Sequence, residues 1–434
     1  MEYDAVVIGS GPAGFSCAMT VARLGGKVAV VEKGKIGGVC ANAGCIPTKS
    51  LCHHAELHRL MKSAASGEST QQVDFKKIMH EARSAAKKAS DGVAFMLKKN
   101  GVGVFYGEAR IRDSQTVSVG EKCIKARNIV IATGSRPIPL GDNAFDGRIL
   151  SGESMLSLEN VPKSLLIVGG GAIGVEFASI MSAFNCKVAI VEMMGQLLPG
   201  FDRDVSSLVE RSLKSSNVEI FTNSKVEGIS DGFAVVGENK VQAEFILVAI
   251  GRRPVFDEEA LERIGVKFDG RGIKVDGRMR TNVGGVYAVG DVVGGAMLAH
   301  KALEEGRVAG MNILGYEEEV DYSAIPHCVY SHPEVAAVGR LEGDSIGVSH
   351  FSSNGRGIAE GETTGFVKVF AKDGLLVGAC IVGKNATELI AEPCLAIRNK
   401  LPLSAVARTV HAHPTFSESF RDAVFDCIKG KIGK

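Results

Sequence analysis

Apolar and polar positions along this chain follow one design twice. The run DAVVI at residues 4–8 offers no polar face, as a strand covered on both sides of a sheet requires. It leads into a glycine-rich turn, a helix of small residues, and a second apolar run, KVAVVE, that ends at Glu32. Residues 164–168 (SLLIV) begin the same series again, and KVAIVE closes it at Glu192. The pattern predicts a strand–turn–helix–strand unit at each place.

Between the copies, a Lys/Ala-rich stretch predicts a helix over 75–99, and short strands follow, ending at 128–134. Beyond the second copy, strands are expected at 245–251 and 286–289. From about Asp321, β-rich runs (365–370, 375–382) alternate with helical ones (386–400, 414–429) and carry no dinucleotide turn. The expected fold class is α/β: two Rossmann-like dinucleotide-binding domains plus a C-terminal α+β domain. Residues 1–141 and a return segment, 257–320, form the first domain, 142–256 the second, and 321–434 the last.

The turns carry the first chemistry. Gly9, Gly11 and Gly14 form one GxGxxG, and Gly169, Gly171 and Gly174 the other. Glycine there permits a tight turn, close approach of a pyrophosphate, and packing of helix on strand, and the helix N-terminus offers amides to the phosphates. Glu32 and Glu192 each lie 18 residues past the third glycine, where an acid accepts hydrogen bonds from an adenine ribose. An ordinary glycine turn between strand and helix would be the better reading of one isolated match, but it explains two poorly, each following an apolar strand, opening a helix and carrying its acid at the expected distance. Glu192 repels a 2′-phosphate and no cation follows it in residues 193–196, so the second site is expected to prefer NAD over NADP. Local chemistry does not say which dinucleotide the first site takes.

Composition narrows the classes. Fifty Lys and Arg against 49 Asp and Glu leave a net charge of +1, which is neither a nucleic-acid footprint nor a membrane-surface patch. Residues 164–184 are apolar apart from Glu176, yet three successive glycines and that carboxylate fit a buried strand, turn and helix better than a membrane span. No targeting segment is read in the acidic N-terminus, so a cytoplasmic protein is expected. Of ten cysteines, Cys17, Cys123, Cys186, Cys380 and Cys394 sit in apolar runs and are read as small core residues. His53, His54 and His58 are read as a polar helix face, since no further ligand set completes a metal site.

Cys40 and Cys45 differ from the rest. In a regular helix, residues five apart have Cα atoms roughly 8–9 Å from each other, whereas a disulfide needs roughly 4.4–6.8 Å. The pair closes only over a distorted backbone, and Pro47 helps by removing the N–H that would bond the Ala43 carbonyl. Spacing alone leaves two buried free thiols equally open.

The run GGVCANAGCIPTK (residues 37–49) resembles the redox-active motif of the pyridine nucleotide–disulfide oxidoreductases, and the likeness covers nearly the whole chain. ATGSRP at 132–137, AIGRRP at 249–254 and TNVGGVYAVGD at 281–291 are similar to further signatures of that family. Within it, MLAHKALEEG (297–306), HPEVAAVG (332–339) and HAHPTFSE (411–418) are most similar to the members that oxidise dihydrolipoamide. The resemblance implies FAD in the first site and NAD in the second, and a C-terminal dimerisation domain. It implies that Lys49 lies near the flavin and pairs with Glu176, and that Asp291 holds the ribityl chain. Thr133, Gly134, Ser135, Met297, Leu298, Ala299, His300 and the backbone of Ala109 would line the rest of the FAD, while Val226 and Gly251 would touch NAD. Cys40 would be the sulfur attacked by substrate and Cys45 the one facing the flavin. A homodimer is implied, with the base supplied across the interface, together with a lipoyl-bearing partner from a 2-oxo-acid dehydrogenase or glycine cleavage system. The chain is shorter than the family pattern, and the missing length falls around 341–353.

His413 has logic of its own. Pro414 favours the first turn of a helix and keeps His413 outside it, and Phe416, Phe420, Val424 and Ile428 mark an apolar helical face. Glu418, one turn on, would fix the tautomer of the imidazole and stabilise its cation, leaving the second nitrogen as a base. Competing readings are an NAD(P)H-dependent reductase of another small disulfide, such as glutathione, a mercuric reductase, and a non-catalytic flavin-binding subunit. The absence of Arg after Glu192, a single cysteine (Cys427) near the C-terminus, and the joint presence of Cys40, Cys45 and His413 weigh against them in turn.

Overall fold

The computed structural model describes residues 2–64, 73–141, 144–230 and 233–429. Residue 142, where the second domain is expected to begin, lies outside the described residues, as do Met1 and residues 430–434.

The first apolar run becomes β1 (Tyr3–Ile8), followed by α1 (Pro12–Arg23) and β2 (Val28–Glu32). Then come α2 (Gly38–Ala43), α3 (Cys45–Ala64), α4 (Phe75–Lys99), β3 (Gly103–Tyr106), β4 (Ala109–Asp113), β5 (Thr116–Val119) and β6 (Lys122–Ile131). β3, β2, β1 and β6 are parallel neighbours, and β5 and β4 extend the sheet as an antiparallel meander. The strand Val286–Ala288 returns from far along the chain to pair with β6. β1 and β2 are buried on both faces, which is why their sequences do not alternate. Small residues let α1 pack closely on the helix Ala299–Ile313: a Cβ on Gly306 would stand 2.1 Å from the Ala13 carbonyl oxygen.

The second apolar series forms Ser164–Val168, the helix Ala172–Ala183 and Lys187–Val191, in a parallel sheet with Glu219–Phe221, Phe245–Val248 and Ile149–Leu150. The C-terminal part is an antiparallel sheet ordered His327–Val329, Val335–Gly339, Leu375–Val382, Phe366–Lys372, Ser345–His350, with helices against it. Between Val335–Gly339 and Ser345–His350 only five residues intervene, in the region where the sequence is short.

Three expectations change. The helical run 386–400 is two helices, Ala386–Leu389 and Ala391–Arg398. The last helix starts at Glu418, four residues after Pro414, so Pro414 is not in its first turn. Thr415 spans the gap, its N–H donating to Glu418 Oε2 at 2.9 Å and its hydroxyl to the Ala412 carbonyl at 2.7 Å. Cys123 is exposed and Cys394 half-buried, whereas Cys17, Cys186 and Cys380 are core residues. Cys123 sits near the start of β6, where alternate side chains face solvent. His54 pairs with Glu81 at 3.0 Å, and His58 packs on the Phe184 ring. Among the described residues no helix is long and apolar enough to cross a membrane.

Candidate active site

The two glycine turns are built alike. Gly9 and Gly169 both adopt φ +107°, and a Cβ on Gly14 or Gly174 would stand 2.0 Å from the Gly9 or Gly169 carbonyl oxygen. At Gly11 and Gly171 a Cβ would meet nothing within 4 Å, so each turn opens there onto free space. No side chain caps either helix. The first helical bonds are Phe15 N–H to Gly11 C=O, 2.8 Å, and Val175 N–H to Gly171 C=O, 2.9 Å. The amides of Ala13 and Gly14, and of Ile173 and Gly174, therefore precede the ladder, and a pyrophosphate fits there.

The acids are fixed by backbone. Glu32 Oε2 accepts from the Ser10 amide and hydroxyl at 2.9 and 2.6 Å, and its Oε1 from Gly34 N–H at 2.7 Å. Glu192 Oε2 accepts from Gly170 N–H at 2.7 Å and its Oε1 from Met194 N–H at 2.8 Å. Gly107 N–H donates to the Glu32 carbonyl at 2.9 Å and brings Ala109 beside the first acid. Ser224 N–H donates to the Glu192 carbonyl at 3.0 Å and brings Val226 beside the second. These residues fit two bound dinucleotides.

The segments Ser135–Pro137 and Arg252–Pro254 pair antiparallel, so the stretch holding Thr133 and Gly134 adjoins the one holding Gly251. The Ser135 hydroxyl donates to Asp291 Oδ2 at 2.6 Å and accepts from Arg252 Nε at 2.7 Å, which fixes Asp291 from one side. Thr133 donates its hydroxyl proton to the Val255 carbonyl. Met297, Leu298 and Ala299 are half-buried at the start of the helix Ala299–Ile313, whose first turn has no side-chain cap, and His300 Nε2 meets the Pro326 carbonyl at 2.6 Å.

Cys40 belongs to α2 and Cys45 opens α3. The backbone breaks between them at Gly44, whose φ of −148° and ψ of −111° belong to neither helix. Pro47 sits in the first turn of α3, and Thr48 N–H bonds the Gly44 carbonyl at 3.1 Å. The distortion the pair requires is thus centred on Gly44, a signal present in the sequence but not singled out from it. Both thiols are half-buried, and the two Sγ atoms lie within hydrogen-bond reach of each other. A hydrogen bond from Cys40 draws the Cys45 thiol down to about 7, with burial opposing and Lys49 assisting. Cys40 moves the opposite way, first through that hydrogen bond and then through burial, and the Asp291 charge acts on it too.

Lys49 lies one turn beyond Cys45 and bonds both oxygens of the buried Glu176, at 3.0 and 2.9 Å. Burial disfavours its charge, but Glu176 outweighs burial and the ammonium is held above the ordinary lysine range. Tyr330, which sequence reading missed, donates its N–H to Glu176 Oε1 at 3.0 Å and sets its ring 4.4 Å from Lys49 Nζ. It lies 154 residues from Glu176, so no local signal marks it.

His413 Nδ1 meets the Glu418 carboxylate at 3.1 and 3.2 Å, while 76% of its side chain stays exposed. The Thr415 N–H first, and then His413, holds the Glu418 carboxyl below the usual range. The remaining ring nitrogen is available, and none of the hydrogen bonds of His413 within its own subunit goes to Cys40 or Cys45.

Known proteins resemble this chain over its whole length. Residues 3–306 match the family model for pyridine nucleotide-disulphide oxidoreductases, and residues 325–424 match the dimerisation domain of the same family. The chain is 41% identical over 449 residues to a dihydrolipoyl dehydrogenase of Geobacillus stearothermophilus, spanning 98% of this chain and 96% of that one. A dihydrolipoyl dehydrogenase of Bacillus subtilis is also 41% identical, over 100% of this chain and 98% of the relative. Among solved structures, LpdA from Mycobacterium tuberculosis superimposes with a TM-score of 0.90 at 26% identity, covering 97% of this chain and 99% of that one. The HOCl-induced flavoprotein disulfide reductase RclA from Escherichia coli gives 0.87 at 27% identity, over 98% and 99% of the two chains.

Proposed function

The chain belongs to the pyridine nucleotide-disulphide oxidoreductases, and from that premise we infer that it oxidises protein-bound dihydrolipoamide to lipoamide with reduction of NAD⁺. It is a flavin-dependent disulfide oxidoreductase that uses FAD and NAD, and its dimerisation domain supports a homodimer. The observation that carries the specific reading is the thiol pair: Cys40 hydrogen-bonded to an acidified Cys45, one turn from the Lys49–Glu176 pair.

We assign FAD to the first nucleotide site and NAD to the second, with units at 1–141 plus 257–320, 142–256 and 321–434. Gly9, Gly11, Gly14 and Glu32 would hold the adenosine diphosphate half of FAD, and Asp291 its ribityl chain. Gly169, Gly171, Gly174, Glu192, Val226 and Gly251 would hold NAD. FAD, when bound, supplies the two-electron relay between the thiol pair and NAD⁺.

The protein's own groups perform the thiol chemistry. In the oxidised enzyme Cys40 and Cys45 share a disulfide. His413 of a second copy, oriented by its Glu418, takes a proton from one substrate thiol. The resulting thiolate attacks Cys40 Sγ, a mixed disulfide forms, and the Cys40–Cys45 bond breaks to release Cys45 as a thiolate. The second substrate thiol gives up its proton as its sulfur attacks the sulfur bonded to Cys40, lipoamide leaves, and Cys40, released as a thiolate, takes up that proton. Two electrons now reside on the dithiol. Cys45, acidified towards 7, is suited to remain the thiolate, and Lys49 places a positive charge beside it.

The substrate-bearing partner is read as the lipoyl protein of a 2-oxo-acid dehydrogenase or glycine cleavage system, in the cytoplasm. Steady-state assays of dihydrolipoamide with NAD⁺ or NADP⁺, beside glutathione disulfide with NADH or NADPH, test the reading. Preference for dihydrolipoamide and NAD⁺ is expected, with Cys45→Ser inactive but still binding FAD. A fully active Cys45→Ser protein sinks the assignment.

A further inference from the structure

Outside the residues assigned above, Lys301 and Glu305 form an ion pair 2.8 Å apart, with residue exposures of 4% and 0%. Replacing such a pair with well-packed apolar residues is often neutral or stabilising, so burial by itself does not account for it. What apolar residues could not do is make the other bonds. Glu305 Oε2 accepts the Gly290 N–H at 2.8 Å, and Lys301 Nζ donates to the Gly294 carbonyl at 3.2 Å. Those two glycines bracket the turn Gly290–Val293, which carries Asp291. Glu305 Oε1 also accepts the Tyr322 hydroxyl at 2.8 Å, and burial, with the Glu305 charge, keeps that hydroxyl protonated as a donor.

The opposite side of the turn is equally confined. A Cβ on Gly290 would stand 2.9 Å from the Ala13 Cβ, so the turn lies between α1 and the pair. Ser135 fixes the Asp291 carboxylate itself. We propose that Lys301 and Glu305 are positioning residues that grip both ends of the Gly290–Val293 turn and so hold Asp291 for the flavin, with Tyr322 tying the same grip to the C-terminal unit. This rests on the assignment of FAD to the first site, made above.

Equilibrium dialysis of the holoenzyme, reading the FAD dissociation constant, tests it. Glu305→Gln keeps the volume and loses the charge, and is expected to raise the constant about tenfold, the loss of roughly one charge-assisted hydrogen bond. Asp291→Asn is expected to raise it by about as much, and the double variant no further, because the two act through one contact. Unchanged affinity in Glu305→Gln, or losses that add in the double variant, overturn the positioning role. Should Glu305→Gln fail to fold, Tyr322→Phe carries the test. A rise of about threefold that vanishes in the Asp291→Asn background is expected for one neutral-donor bond, and an unchanged constant overturns the inference equally. An Asp291→Asn protein that binds FAD normally removes the flavin-site assignment itself, and this inference with it.

Discussion

Lys49 reaches across 127 residues to grip both carboxylate oxygens of Glu176, which joins the helix that Cys45 opens to the helix that follows the second glycine turn. Removing the ammonium leaves a buried carboxylate without its cation. Lys49→Met is therefore expected to lose about 1–2 kcal/mol of stability, a figure reduced for the one-third exposure of Lys49.

The same substitution should move a titration. Below pH about 7 Cys45 is a thiol and above it a thiolate. The ultraviolet thiolate absorbance of the reduced protein, taken as a difference from Cys45→Ser, should rise through that pH. In Lys49→Met the midpoint should lie higher, because a charge that favours the thiolate has gone. A midpoint left in place would mean that Lys49 does not act on Cys45.

The two glycine turns allow the nucleotide assignments to be separated. A methyl group at residue 14 or 174 would overlap a backbone oxygen and displace the helix end. Gly14→Ala is expected to purify with little flavin. Gly174→Ala should retain its flavin but raise the NAD⁺ dissociation constant about tenfold or more, the scale of an overpacked backbone contact. The reverse pattern would exchange the two sites.

Glu418 orients His413 without touching either cysteine. Glu418→Gln should lower kcat/KM for dihydrolipoamide about tenfold or more, since the imidazolium loses its counter-charge. Flavin content should not change. Unaltered turnover would place the base elsewhere.

Gly44 is a sharper test of the thiol geometry than either cysteine. A Cβ there would stand 3.1 Å from the Val39 carbonyl oxygen and 3.4 Å from its Cγ1, so Gly44→Val crowds α2 where it must turn. Equilibration with a small-molecule dithiol should show disulfide formation about tenfold less favourable, a cost of about 1–3 kcal/mol for overpacking.

Much of this molecule was settled by sequence alone, and for a common reason. Both glycine turns, Glu32 and Glu192, the helix Phe75–Lys99 and the strand Leu375–Val382 rest on short-range regularities, because period, turn chemistry and spacing act within a few tens of residues. Cys40 and Cys45 could be paired from their motif, yet the break that lets them meet lies at Gly44, and Pro414 proved to precede its helix because the Glu418 carboxylate, bonded by Thr415 and His413, starts it later. Tertiary structure alone decided which distant groups share a site: Tyr330 under Lys49, Ser135 between Asp291 and Arg252, and Glu305 beneath the turn that carries Asp291. No periodicity encodes those meetings, since they arise only when sheets and helices pack and each buried polar group must find its partner.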